Sequence, residues 1–182
     1  FQANYVPPDP EEEQAGDSYA FVDAGGYRLR YSKMGEGEEN IILVHGFGGD
    51  ADRWLFTQQP LAATATVYAF DMPGHGQSTK ALSDGGVPAL ADVVIAFMDA
   101  LDIATARLIG HSLGGAVALQ AAVAHPARVS ALNLIAPAGL GAEINAEYIN
   151  GFIAADSRKL MKPLLQQLVA DPSLVNRSLV DD

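Results

Sequence analysis

The sequence predicts an α/β fold: a mostly parallel sheet with helices on both faces, ending within a helical lid. Three observations carry that prediction. Short apolar runs and helical patterns alternate from about residue 40 to residue 136, the order that builds a parallel sheet covered by helices. A Gly-x-Ser-x-Gly pentapeptide, Gly110-His111-Ser112-Leu113-Gly114, separates one such run from the helical pattern after it. Beyond Pro137, helical patterns follow one another with no strand between them.

Taken in order, residues 1–18 read as an extended linker. They hold Asp9, Glu11, Glu12, Glu13 and Asp17, no basic residue, and Pro7, Pro8 and Pro10. Such a composition cannot bury enough apolar surface to pack. Tyr19–Asp23 and Tyr27–Tyr31 are β-prone runs on either side of Gly25-Gly26, the signature of a hairpin. Ile41–Val44, Val67–Phe70, Ala106–Ile109 and Ala131–Ile135 are short apolar runs suited to strands buried on both faces. A short helix is expected from about Trp54 to Leu61. Leu90, Val93, Val94, Phe97 and Leu101 follow the i, i+3, i+4, i+7, i+11 stripe of an amphipathic helix. Gly115–Val123 reads as a tightly packed helix. Three further helices are expected over residues 143–155, 163–170 and 172–182, the last opened by Asp171 as cap and Pro172 in the first turn. The domain plan is therefore a linker (1–18), a core (19–140) and an incomplete lid (141–182).

Bulk composition narrows the function classes. The chain has 182 residues, 49% of them hydrophobic and 18% charged, enough for one domain with a sizeable core. No apolar run approaches the roughly 18 residues of a membrane span, and no basic segment precedes an apolar one as in a secretory signal. Zero cysteines exclude disulfides, thiolate metal sites and cysteine catalysis, and fit a cytoplasmic protein. A net charge of −11 argues against nucleic acid and anionic membranes as partners. No metal site is expected.

The chemistry centres on Ser112. A Gly-x-Ser-x-Gly turn between strand and helix exposes a strained serine nucleophile, and glycines flank it because a Cβ would keep strand and helix backbones apart. A glycine-rich turn with an ordinary capping serine is the competing reading. A serine hydroxyl also needs donors for the oxyanion that its attack creates. His45-Gly46-Phe47-Gly48-Gly49 follows directly on the strand ending at Val44. A loop there can turn the Phe47 N–H toward the serine, to act with the N–H of Leu113. Phe47 equally suits a hydrophobic wall.

HGFGG after the third strand, DMPGHGQS after the fourth and GHSLGG after the fifth together resemble the α/β-hydrolase family over about residues 19–140. The resemblance makes His45, Gly46 and Gly48 part of the oxyanion loop, with His45 organising it. It makes Asp71, His75 and Ser78 parts of a structural turn near the site in preference to catalytic groups.

The same resemblance puts the triad acid and histidine after the serine. The sole histidine there is His125, at the far end of the helix Ser112 begins. Thirteen residues of helix are about 20 Å, against a hydrogen-bond reach of roughly 3 Å. His125 is therefore excluded, and His111 points elsewhere from the elbow. Glu143, Glu147, Asp156 and Asp171 all fall in the lid. The expectation is a chain cut short within the lid, inactive by itself, with an exposed sheet edge that favours aggregation.

MGEGEENIILVHGFGGDADRW, DMPGHGQS, GHSLGGAVAL, LIAPAGLGAEIN and the acidic N-terminal linker together resemble one branch: the acetyltransferase components of bacterial acetoin dehydrogenase complexes. That resemblance implies coenzyme A as acceptor, a lipoyl group on a preceding domain, a small acyl substrate and other complex subunits as partners, with no cofactor bound in this segment. Water as acceptor, giving an ester hydrolase, and a non-catalytic scaffold are the competing readings. Phe47, Leu113, Ile144, Tyr148 and Phe152 could line an apolar pocket, although plain packing is the favoured role for the last three.

Overall fold

A computed structural model describes residues 19–141, 144–175 and 180. The segment read as a linker (1–18) and Glu143 lie outside them. Six strands form one sheet: β1 (Tyr19–Ala24), β2 (Tyr27–Met34), β3 (Asn40–Val44), β4 (Thr66–Phe70), β5 (Ala106–His111) and β6 (Val129–Ile135). Their order across the sheet is β1-β2-β4-β3-β5-β6. The hairpin β1–β2 and the pair β2–β4 are antiparallel, and every pairing from β4 to β6 is parallel. The hairpin turns on Gly25 (φ +58°) and Gly26 (φ +82°), two left-handed positions in a row, which glycine adopts without steric cost.

The central strands carry apolar runs because both faces are covered. Side chains alternate across a strand, so Ile42 and Val44 enter one cluster while Ile41 and Leu43 enter another. On the first face lie α2 (Val87–Ala100) and α3 (Leu113–Ala124). There Phe70 of β4 stacks on Phe97 of α2, centroids 4.7 Å apart. The stripe residues Leu90, Val93, Val94 and Phe97 are all buried, while Leu101 caps the helix C-terminus and packs at the cluster's edge. On the second face sits a 3-10 turn (Ala51–Trp54) leading into α1 (Leu55–Leu61), which brings Ala51, Trp54 and Leu61 against Ile41, Leu43, Val67 and Ile109.

The fold divides into two compact units, the first ending at Leu140 and the second beginning at Gly141. The second unit departs from its sequence reading. α4 (Ala146–Ala154) starts later than residue 143, because the Asn145 side chain caps it by accepting from Tyr148 N–H at 2.9 Å. α5 spans Arg158–Gln166 in place of 163–170, with Pro163 inside it. Proline reads as a helix start in sequence, yet here the half-buried Met161, Leu164 and Leu165 form one face that already begins before it. Over 172–182 the described residues show only a 3-10 turn, Pro172–Leu174, besides helical residue 180. Asp171 does cap that turn, accepting from Ser173 N–H at 2.9 Å. No helix among the described residues is long and apolar enough to cross a membrane.

Candidate active site

β5 ends at His111 and α3 begins at Leu113, leaving Ser112 as the whole connection. The turn is so sharp that Ser112 takes φ +52°, ψ −118°, a conformation that costs a non-glycine residue about 1–3 kcal/mol. Hydrogen bonds on both sides of the residue hold it there. Its N–H donates to Ile135 O at 3.1 Å, and its carbonyl accepts from Gly115, Ala116 and Ala138 N–H at 3.0, 3.2 and 2.9 Å. The flanking glycines are needed for close approach. A Cβ on Gly110 would lie 2.3 Å from Gly114 O, and one on Gly114 would lie 2.2 Å from Val44 O. Strand, helix and neighbouring strand meet backbone to backbone around the serine.

The loop after β3 completes this meeting point. A Cβ on Gly46 would stand 3.1 Å from Ser112 Cβ and 3.0 Å from His111 Nδ1, so the loop backbone abuts the serine. Gly48 takes φ +68°, and Gly49 N–H donates back to Gly46 O at 3.1 Å, closing a tight turn over Phe47 and Gly48. Phe47 keeps about a third of its surface exposed, 36%.

His45 organises the loop. Its ring is buried, with Nδ1–H donating to Gly46 O at 2.8 Å and Nε2 accepting from Met72 N–H at 2.9 Å. A peptide N–H can only donate and a carbonyl can only accept, so the tautomer is fixed and the imidazole neutral. Burial agrees, pushing the His45 pKa down to about 4. Both ring nitrogens are occupied, so His45 has no lone pair to offer a serine proton.

The DMPGHGQS turn is an anchor. Asp71 is fully buried and its carboxylate accepts from Ala51 N–H (2.8 Å), Gln77 N–H (2.7 Å) and Arg30 Nη2 (3.1 Å), with Arg30 Nε 2.8 Å from its other oxygen. Ser78 Oγ–H donates to Asp71 O at 2.7 Å and accepts from Arg30 N–H at 2.9 Å. These bonds tie β2, the 3-10 turn and the loop after β4 into one unit beneath the His45 loop. Nothing in the sequence pairs Arg30 with Asp71, 41 positions apart. A buried carboxylate accepting this many bonds serves structure, which matches the reading of Asp71 and Ser78. His75, in the same turn, donates through Nδ1–H to Pro73 O at 3.1 Å.

The remaining candidates are divided between the two units. His125 is the C-terminal cap of α3, its Nε2 3.2 Å from the exposed Asp92 carboxylate. It is a surface pair at the far end of the helix. His111 closes β5 beside Gly46, and burial lowers its pKa. Among the described residues no side chain hydrogen-bonds Ser112 Oγ. Glu147, Asp156 and Asp171 all stand in the second unit, as do Ile144, exposed, and Tyr148 and Phe152, whose rings lie 5.9 Å apart on α4.

A strained serine at the carboxyl end of a parallel strand, with a glycine loop from the adjacent strand against it, defines a class of α/β proteins. Residues 39–179 match the alpha/beta hydrolase fold family, and the chain belongs to it. Among its relatives, it is 48% identical over 183 aligned residues to the dihydrolipoyllysine-residue acetyltransferase component of the acetoin cleaving system of Pseudomonas putida, covering 100% of this chain and 50% of that protein. The corresponding Cupriavidus necator component is 45% identical over 96% of this chain and 46% of its own length. The chain thus spans about half the length of these relatives. Of solved structures, a meta-cleavage product hydrolase from Pseudomonas fluorescens superposes with a TM-score of 0.80 at 28% identity, over 89% of this chain and 61% of that one.

Proposed function

We propose that this chain carries the serine-bearing part of an acetyltransferase that works in an acetoin dehydrogenase-type complex in the cytoplasm. In this reading acetyl passes from a dihydrolipoyl thioester to coenzyme A. The observation that carries it is the 48% identity to the Pseudomonas putida component, over an alignment that covers the whole chain.

The strained Ser112 and the glycine loop against it support the following chemistry. Ser112 Oγ attacks the thioester carbonyl, and the N–H groups of Phe47 and Leu113 donate to the oxyanion. The C–S bond breaks, the acetyl group stays on Ser112 as an ester, and the hydroxyl proton ends on the departing dihydrolipoyl sulfur. The coenzyme A thiol then attacks that ester, restoring the Ser112 hydroxyl and releasing the new thioester. The lipoyl group and coenzyme A are substrates here, carried by a preceding domain and by solution. Neither His45 nor His125 is placed to take the serine proton.

A second reading, hydrolysis with water as acceptor, is favoured by the 0.80 superposition on a hydrolase. One assay separates them. The whole polypeptide containing this chain is given an acetyl-dihydrolipoyl donor with and without coenzyme A. Acetyl transfer that requires coenzyme A and is lost in Ser112→Ala supports the proposal. Serine-dependent release of acetate, unchanged by coenzyme A, supports hydrolysis. Activity or complex assembly indifferent to Ser112→Ala leaves a scaffold.

A further inference from the structure

His75 lies in the turn after β4, and nothing in the proposed chemistry uses it. Its ring stands edge-on to His45, centroids 5.0 Å apart at 62°, and edge-on to Phe47, 6.2 Å apart at 84°. Both separations fall in the range of roughly 4.5–7 Å for favourable aromatic pairs, and both angles suit the T-shaped arrangement. Nδ1–H donates to Pro73 O at 3.1 Å, so the ring is fixed to its own turn. His45, in turn, links Met72 N–H to Gly46 O. Two parallel connections therefore run from residues 72–73 to the loop against Ser112. One passes through the His45 ring to the Gly46 carbonyl, the other through the His75 ring to the Phe47 side chain.

We propose that His75 is a positioning residue for the acyl-transfer site: its ring is the wedge that fixes Phe47, and through Phe47 the peptide N–H that meets the oxyanion. The inference rests on the assignment of Ser112 and Phe47 made above. Gly46 and Gly48 flank Phe47, and the planar peptide that carries the Phe47 N–H is held at its other end, where Gly46 O accepts from His45 Nδ1–H and Gly49 N–H. The Phe47 side chain is a second handle on that peptide, and the His75 ring packs against it. His45 fixes the Gly46 carbonyl. The wedge supplies that second hold.

The arrangement predicts a loss in turnover more than in binding. An oxyanion donor is worth about 10²–10³ in rate when removed outright, and a displacement of roughly 1 Å can cost up to about 10². Loosening the wedge is therefore expected to lower kcat by about tenfold or more with KM within about twofold. The test uses the whole polypeptide containing this chain. Turnover is measured for His75→Ala, His75→Phe, Phe47→Ala and the His75→Ala/Phe47→Ala double variant, with thermal unfolding recorded for each. His75→Phe keeps the ring–ring contacts and is expected to stay within about threefold of the parent. His75→Ala is expected to show the tenfold loss. The double variant should be no slower than Phe47→Ala, because the wedge acts through that side chain. Should His75→Ala fold poorly, His75→Gln, which keeps bulk and polarity without the ring, replaces it both singly and in the Phe47→Ala background, with the same outcomes expected. An unchanged kcat in His75→Ala, a His75→Phe as slow as His75→Ala, or independent, multiplying losses in the double variant would overturn the proposal. Turnover that survives Ser112→Ala would instead overturn the underlying assignment, whatever His75 does.

Discussion

Acidification is predicted to loosen this fold through one buried imidazole. His45 is held neutral by its burial, which lowers its pKa from 6.5 to about 4, and by Nε2 accepting from Met72 N–H. In the unfolded chain it titrates near 6.5. A group whose folded pKa is depressed contributes its full stability above the unfolded value and loses it as the pH falls toward the folded value. The window is therefore pH 6.5 down to about 4. At about 1.4 kcal/mol per tenfold change in proton affinity, the loss across that window approaches 3 kcal/mol. The assay is urea unfolding at pH 7 and pH 4, for the parent and for His45→Gln, whose side-chain amide can accept and donate without titrating. Carboxylates and His111 contribute equally to both proteins, so the difference between the two pH dependences isolates His45. The parent is expected to lose about 3 kcal/mol more than the variant over that interval. Equal losses would refute the claim that His45 is locked in a single neutral tautomer.

Three further outcomes follow from the same geometry. Ser112→Gly relieves the φ +52° strain, so it should raise stability by about 1–3 kcal/mol while removing the hydroxyl; a urea midpoint equal to or below the parent's would contradict the strain. Gly114→Ala places a methyl group 2.2 Å from Val44 O and 2.4 Å from His45 O, with backbone on both sides, and should cost about 3 kcal/mol or more; calorimetry showing a loss under about 1 kcal/mol would mean the strand and helix do not approach so closely. Asp71→Ala leaves Arg30, 4% exposed, as a buried cation whose remaining carboxylate neighbour is the more exposed Asp52, and is expected to cost about 3–5 kcal/mol in chemical unfolding; a neutral result would show that Arg30 escapes to solvent.

The sheet was legible because burial on both faces writes itself as uninterrupted apolar runs: Ile41–Val44 and Val67–Phe70 became β3 and β4. The stripe from Leu90 to Phe97 likewise became the buried face of α2. Less legible were elements whose ends depend on local hydrogen bonds. The 3-10 turn before α1 is set by Asp50 accepting from Asp52 N–H at 3.1 Å, and α5 runs straight through Pro163, which pattern reading takes for a boundary. In the candidate site, the close approaches of Gly46 and Gly114 could be expected from the glycines themselves. The supports beneath them could not. Arg30 with Asp71, and His75 with Phe47, join residues distant in sequence through contacts that exist only once the sheet has formed.

Everything proposed for this chain turns on whether Ser112 carries the acyl group. Incubating the whole polypeptide containing this chain with an acetyl-dihydrolipoyl donor, quenching in acid and sequencing peptides by mass spectrometry answers that. The prediction is a single acetyl on the peptide bearing Ser112, absent from Ser112→Ala and discharged when coenzyme A is added before the quench. Acetyl transfer to coenzyme A proceeding at the parental rate in Ser112→Ala would contradict it.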